Sequence, residues 1–376
     1  MSREEERTLI RGPEPEDTGP HPADMAHLLV LDQPDAPPHR VPLGAEPLSI
    51  GRTVQNGLML ASDEISRRHC VVLLEDGVVT VTDQGSTNGT WVDGRRIQEP
   101  AQLPPGGVLR LGPYHLQYLC LPRSEMARNA GLERDIEKAG RYVTSLLPAP
   151  IAEGPVHADW RFLPCAEIGG DGFGWRFLDP GHFAVWLLDV SGRGAGAALL
   201  AASVMNALRA GDGADPADPA AMLGALNSTF QSAGQAGMPF TCWYAVADLA
   251  GRRLRFASAG HHPGWLLAPG AAAWVPLHVA NPAIGLTPRW PYRAVEMPLA
   301  PDTRVVLFSD GAFGSPPREK QREALAAFLP QLSASPQPGV PEAERLLRAV
   351  MANRDAAKRN AGPLADDVSI LTLDFA

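Results

Sequence analysis

The chain has 376 residues, enough for two domains of ordinary size. Its composition, 45% hydrophobic and 20% charged, is that of a globular protein, and a net charge of −9 gives no electrostatic support to a nucleic-acid partner. No apolar run reaches the roughly 18–20 residues of a bilayer span, the opening MSREEERTLI is not signal-like, and Cys70, Cys120, Cys165 and Cys242 form no C-x-x-C pair, a pattern that argues against disulfide or thiolate-metal frameworks and fits the cytoplasm.

Residues 1–24 are polar, with prolines at 13, 15, 20 and 22, and read as a disordered tail. Residues 25–122 alternate short β-rich runs (HLLVL, LSIG, CVVLLEDGVVTVTD, VLRLGPYHLQYL) with turn signals, and Asp76-Gly77 and Asp93-Gly94 are hairpin dipeptides. An all-β sandwich follows. Residues 123–150 change character. Leu132, Ile136, Ala139, Val143 and Leu146 recur at spacings of four and three, one stripe of a helix that Pro148 and Pro150 stop. Such a stripe could pair with a second copy or dock on the domain that follows. From 151 to 376 strands such as HFAVWLLDV, FTCWYAVADL, RVVLFSD and VSILTLDF mix with helices such as GAALLAASVMNALRA, and hairpins among them point to α+β layers.

Three motifs stand in order in the β-region: IGRT at 50–53, ISRRHC at 65–70 and GSTNGTWVDG at 85–94. Together they resemble the forkhead-associated (FHA) domain, a β-sandwich whose loops bind phosphothreonine peptides. The resemblance implies that Arg52, Ser66 and Arg67 contact the phosphate, that Thr87 and Asn88 hold phosphate or peptide backbone, and that His69 braces the loop. A phosphate dianion suits a guanidinium with short hydroxyl and amide donors.

The stretch AEIGGDGFGW at 166–175 looks like a phosphate-cradling glycine loop, but a strand pair follows it, and no Gly-Lys-Ser or Gly-Lys-Thr does. Asp171 belongs instead with Asp189 after FAVWLL, Asp310 after RVVLFS, and Asp366-Asp367 before VSILTL. Carboxylates gathered at strand ends repel one another unless a cation neutralises them, and hard oxygen ligands favour magnesium or manganese. EIGGD, LLDVSGRGAGAALL, SAGHHP, LFSDG and ADDVSILTL occur in the order seen in SpoIIE-type phosphatases, the bacterial branch of the metal-dependent PPM (protein phosphatase 2C-like) serine/threonine phosphatases. The resemblance implies a four-layer αββα sandwich holding two Mn2+ or Mg2+ ions. Asp171, Asp189, Asp310 and Asp366 are then the catalytic metal ligands, helped by the carbonyl of Gly172, with Asp367 the lesser of its pair. The helix at 123–150 resembles the regulatory linker that precedes this domain. Two departures stand out: Gly172 and Gly174 replace an aromatic and an Asp common in relatives, and GAFGS lacks an acidic residue after the SDG motif. His182, His261 and His262 are candidates for a general acid, and the remaining tryptophans and cysteines read as packing. The implied function is a cytoplasmic phosphoprotein phosphatase in a serine/threonine kinase pathway. The FHA module recruits it to a phosphothreonine protein, the substrates include phosphorylated anti-sigma-factor antagonists, and the linker helix is a route to a homodimer. The alternative is a catalytically inactive phosphopeptide adaptor.

Overall fold

The computed structural model describes residues 24–33, 36–166, 168–192, 194–211, 213–231, 238–357 and 364–376. The tail read at 1–24 therefore lies outside the described residues except for Asp24. The chain divides into two compact units, Met1–Leu132 and Glu133–Ala376.

The first unit is all β. Its strands are β1 (Met25–Gln33), β2 (Ala36–Leu43), β3 (Leu48–Gly51), β4 (Leu58–Met59), β5 (Cys70–Glu75) and β6 (Val78–Asp83). They continue with β7 (Thr90–Val92), β8 (Arg95–Arg96), β9 (Ala101–Leu103), β10 (Val108–Leu111) and β11 (Tyr114–Pro122). Two sheets form, in the orders β2-β1-β11-β10-β7-β8 and β4-β3-β5-β6-β9. Leu29, Ile50, Val81, Leu109 and Leu116 fill the space between them, each wholly buried. The two Asp-Gly dipeptides make the hairpins β5–β6 and β7–β8, and all four residues take positive φ, which Asp and Gly tolerate best.

Helix α1 (Arg123–Ser145) follows. In the second unit Val143 of the helix and Leu146 just beyond it are buried in the core, with Ile136 and Ala139 packed against it; Leu132, at the end of the first unit, is exposed. The stripe from Ile136 to Leu146 is therefore docked on its own chain.

The second unit holds β12 (Val156–Leu163), β13 (Asp171–Asp179), β14 (His182–Val190), α2 (Ala195–Ala210), α3 (Pro219–Thr229), β15 (Phe240–Asp248) and β16 (Arg253–Ala259). Then come β17 (Gly264–Leu267), β18 (Val275–Leu277), β19 (Val295–Pro298), β20 (Thr303–Phe308), α4 (Gln321–Phe328), α5 (Glu342–Ala357) and β21 (Val368–Phe375). One sheet runs β12-β21-β20-β17-β18 and the other β13-β14-β15-β16-β19. Phe173, Phe183, Leu187, Trp243, Leu307, Leu371 and Phe375 form the layer between them. The outer face of the second sheet packs on α2 and α3, and that of the first on α4 and α5. The order of layers is α, β, β, α. Both inner strands are apolar on both faces because each face is covered, which explains unbroken runs such as FAVWLL.

Candidate metal and phosphopeptide sites

The strand ends carry the acidic residues to one end of the sheet pair. Asp171 opens β13 and lies directly opposite Asp189, at the close of β14. Both side chains share the face of Phe173 and Leu187, toward the other sheet. On that other sheet Asp310 follows the end of β20 by two residues, and Asp366-Asp367 immediately precedes β21; the two strands pair through Phe308 and Ile370. Five carboxylates from four chain segments thus meet at one place.

Their roles differ. Asp367 is buried and clamps the glycine loop, accepting from the amides of Cys165 at 2.8 Å, Gly170 at 2.6 Å and Asp171 at 3.2 Å. Ser369 donates its hydroxyl to Asp171 at 2.7 Å, and Ser315 donates to Asp310 at 2.9 Å. Ser309 ties the two strands together, giving its hydroxyl to the Asp367 carbonyl and accepting from the Ser369 amide. The glycine of the SDG motif is required by close approach: a Cβ on Gly311 would fall 2.0 Å from the Asp367 carbonyl oxygen. Sequence reasoning missed these serines and the clamp, whose partners lie far apart in the chain.

Burial raises the pKa of Asp171, with Asp189 and Asp367 adding to it. Burial, then the charges of Asp310, Asp366 and Asp367, push Asp189 up to about 8. Asp310 is raised as well, by burial and by Asp366, against the Ser315 hydrogen bond. Asp171, Asp189 and Asp310 have no cationic side chain paired with them among the described residues. Such a set fits hard divalent cations, which supply the missing positive charge and accept oxygen donors. The Val190 amide donates to the Gly170 carbonyl, and Gly172 stands opposite Leu188 in the β13–β14 ladder, one residue on from Asp171.

In the first unit the motif residues converge on neighbouring loops. The Arg52 amide donates to the Ser66 carbonyl at 3.0 Å, and the Thr87 amide donates to the Ser66 hydroxyl at 3.0 Å. Asn88 donates to the Glu64 carbonyl at 2.9 Å, while Thr53 and Asn56 hold the Arg67 carbonyl. His69 is buried; it accepts from the Ser66 amide and bonds the Gly89 carbonyl, so it braces both loops. Asp83 was not legible in the sequence. It accepts from Gly85, from Ser86 twice and from Thr90. Partial burial would raise its pKa, but these bonds outweigh that and hold it below the usual carboxylate value. Arg52 and Arg67 are exposed, and the Arg52 guanidinium lies 3.5 Å from the Asp63 carboxylate.

Residues 179–376 match the family model for stage II sporulation protein E (SpoIIE), and residues 48–112 match that for the FHA domain. The chain belongs to the SpoIIE family. Its phosphatase-like unit is similar in fold to the SiaA-PP2C domain of Pseudomonas aeruginosa, with a TM-score of 0.53 at 23% identity over 66% of this chain and 98% of that one. In sequence, 182 residues are 27% identical to the phosphoserine phosphatase RsbP of Bacillus subtilis, covering 48% of this chain and 45% of RsbP. A further 104 residues are 35% identical to the glycogen accumulation regulator GarA of Mycolicibacterium smegmatis, covering 28% of this chain and 65% of GarA. The chain spans about half the length of relatives such as RsbP and the FHA domain-containing protein FhaB.

The glycines on β13 of this SpoIIE-family chain leave room for its neighbours. A Cβ on Gly174 would lie 2.4 Å from the Trp186 ring, and one on Gly172 would lie 2.9 Å from Met205. The candidate general acids fare less well. His182 is bonded to Asp179 in an exposed hairpin, at the opposite end of the strands from Asp171 and Asp189. His261 is pushed down to about 4 by burial, and His262 is lowered too, so both are neutral imidazoles at neutral pH rather than imidazolium acids. Cys165 is not a core residue but lies beside Asp366 and Asp367. Trp290 is exposed rather than packed.

Proposed function

We propose that this chain is a metal-dependent phosphoprotein phosphatase acting on phosphoserine or phosphothreonine of a regulatory protein, with its FHA domain engaging a phosphothreonine partner. The observation that carries the proposal is the convergence of Asp171, Asp189, Asp310 and Asp366 at one end of the sheet pair, with the pKa values of the first three raised by burial and mutual repulsion. These residues would hold a pair of Mn2+ or Mg2+ ions. Ions so bound supply an activated water and neutralise phosphate charge.

The chain's own contribution is placement. Asp367 fixes the loop that starts β13, and Ser369 fixes the Asp171 carboxylate, so the ligands are oriented before a cation arrives. Neither Cys70 nor Cys242 is a nucleophile, because burial pushes both thiols far above their usual range. The family likeness and the similarity to RsbP support phosphoprotein as substrate. An anti-sigma-factor antagonist is the substrate class we favour, within a serine/threonine kinase pathway. The test is phosphate release from phosphoserine and phosphothreonine peptides by the full chain with Mn2+ or Mg2+, wild type against Asp310→Asn. Turnover that needs metal and falls by two orders of magnitude or more in the variant, as roughly expected for loss of one charged catalytic group, supports the reading. Metal-independent turnover, or none, contradicts it.

A further inference from the structure

A cavity of about 510 Å³ shares Asp189 and Asp310 with the carboxylate cluster. Thr241, His261, His278 and Arg322 also line it. We propose that this cavity is the subsite for polypeptide flanking the phosphorylated residue, and that Arg322 with His278 makes it favour an acidic neighbour. The proposal rests on the phosphatase reading and narrows its substrate class.

Position supports it first. Thr241 lies directly opposite Asp189 across β14–β15, so the cavity begins one strand spacing from a metal-ligand candidate. The chemistry of the deep wall supports it next. His261 is 3% exposed, and its Nδ1 lies 2.8 Å from the His262 carbonyl, which can only accept. Nδ1 therefore carries the hydrogen and Nε2 is a bare acceptor. Neither that Nε2 nor the Thr241 hydroxyl has a hydrogen-bond partner among the described residues. Buried polar atoms left this way are destabilising, and an extended peptide brings the N–H groups that satisfy them.

The mouth has the opposite character. Arg322, in the first turn of α4, and His278 are both exposed, and Arg322 has no ion-pair partner among the described residues. A guanidinium offers a planar fork of donors suited to a carboxylate. An acidic side chain is thus received at the exposed Arg322 guanidinium.

The test compares kcat/KM of the full chain for a small aryl phosphate, a phosphoserine peptide with aspartates flanking the phosphoserine, and the same peptide with asparagines. Wild type should favour the acidic peptide over the neutral one by roughly fivefold, the upper end for an exposed charge pair. Arg322→Glu should abolish that ratio and lower kcat/KM more for the acidic peptide than for the aryl phosphate, and Arg322→Lys should keep part of it. His261→Gln should lower kcat/KM for both peptides relative to the aryl phosphate. A wild-type ratio near one, or a ratio that survives Arg322→Glu, overturns the subsite. If wild type hydrolyses nothing, the phosphatase reading fails separately. The acidic-to-neutral ratio is then read by anisotropy of the same phosphoserine peptides with Mn2+ in an Arg52→Ala background, where the same loss in Arg322→Glu is required.

Discussion

Replacing Asp367 by Asn isolates the clamp from the metal ligands. The carboxylate accepts from three backbone amides, two on one oxygen and one on the other. An asparagine keeps one accepting oxygen and sets an NH2 group against the remaining donors. A hydrogen bond to a charged group contributes about 1.5–3 kcal/mol, and an amide left buried without a partner costs about 1–3 kcal/mol. The opposing effect is relief of repulsion, because Asp367 raises the pKa of both Asp171 and Asp189. That relief is small where the neighbours are protonated. With Asp189 pushed up to about 8, it is largely uncharged in metal-free protein below neutrality. The hydrogen bonds therefore win, and the net loss should be about 2–4 kcal/mol out of a domain stability of about 5–15 kcal/mol. As pH rises through 8 Asp189 ionises, the relief grows and the loss shrinks. Urea unfolding of the full chain in EDTA, read at pH 6 and pH 9, measures both. A loss under about 0.5 kcal/mol at pH 6 would fall below even one hydrogen bond and refute the clamp; a loss that grows with pH would refute the electrostatics.

Three other outcomes follow from the same geometry. Asp171 and Asp189 have folded pKa values above their unfolded ones, so the stability they favour is full below the unfolded pKa and lost as pH rises through the folded one. In EDTA the Tm of the second unit should fall between pH 5 and pH 8, and Mn2+ should restore it; a Tm that rises over that range, or ignores Mn2+, contradicts the cluster. Gly311→Ala places a methyl 2.0 Å from a carbonyl oxygen that belongs to the backbone and cannot swing away. It should lower stability by more than the roughly 1–3 kcal/mol of ordinary overpacking and weaken Mn2+ binding, as seen by denaturation and calorimetry. Asp83→Ala removes four hydrogen bonds from the GSTNG loop. It should weaken phosphothreonine-peptide binding about tenfold or more by loop disorder, although Asp83 is not expected to touch ligand; unchanged anisotropy titrations would remove it from the account.

The sequence carried much of the fold because its punctuation is chemical. Asp-Gly pairs at 76–77 and 93–94 adopt the positive φ that hairpins demand. The aspartates at 171, 189, 310 and 366 end or precede apolar runs, and a residue at the end of a central strand has few places to go. What stayed illegible depended on partners distant in the chain. Asp366 and Asp367 are equivalent as letters, and only the β20–β21 register decides which one turns back to the Cys165–Asp171 loop. The stripe from Leu132 to Leu146 has one periodicity whether it docks or dimerises; Val143 and Leu146 are buried in the second unit's core, while Leu132 is exposed. Asp83 ends TVTD like any polar strand residue; its four donors come from the next seven residues, whose conformation the letters do not state.

The central claim is that the four aspartates form a cation site, and counting ions tests it most directly. Isothermal titration of the metal-free full chain with Mn2+ should give two ions per chain, with protons released on binding because Asp189 must ionise. Asp189→Asn should lose at least one of them. No binding by the wild type, or a stoichiometry and proton release unchanged in Asp189→Asn, would contradict the account.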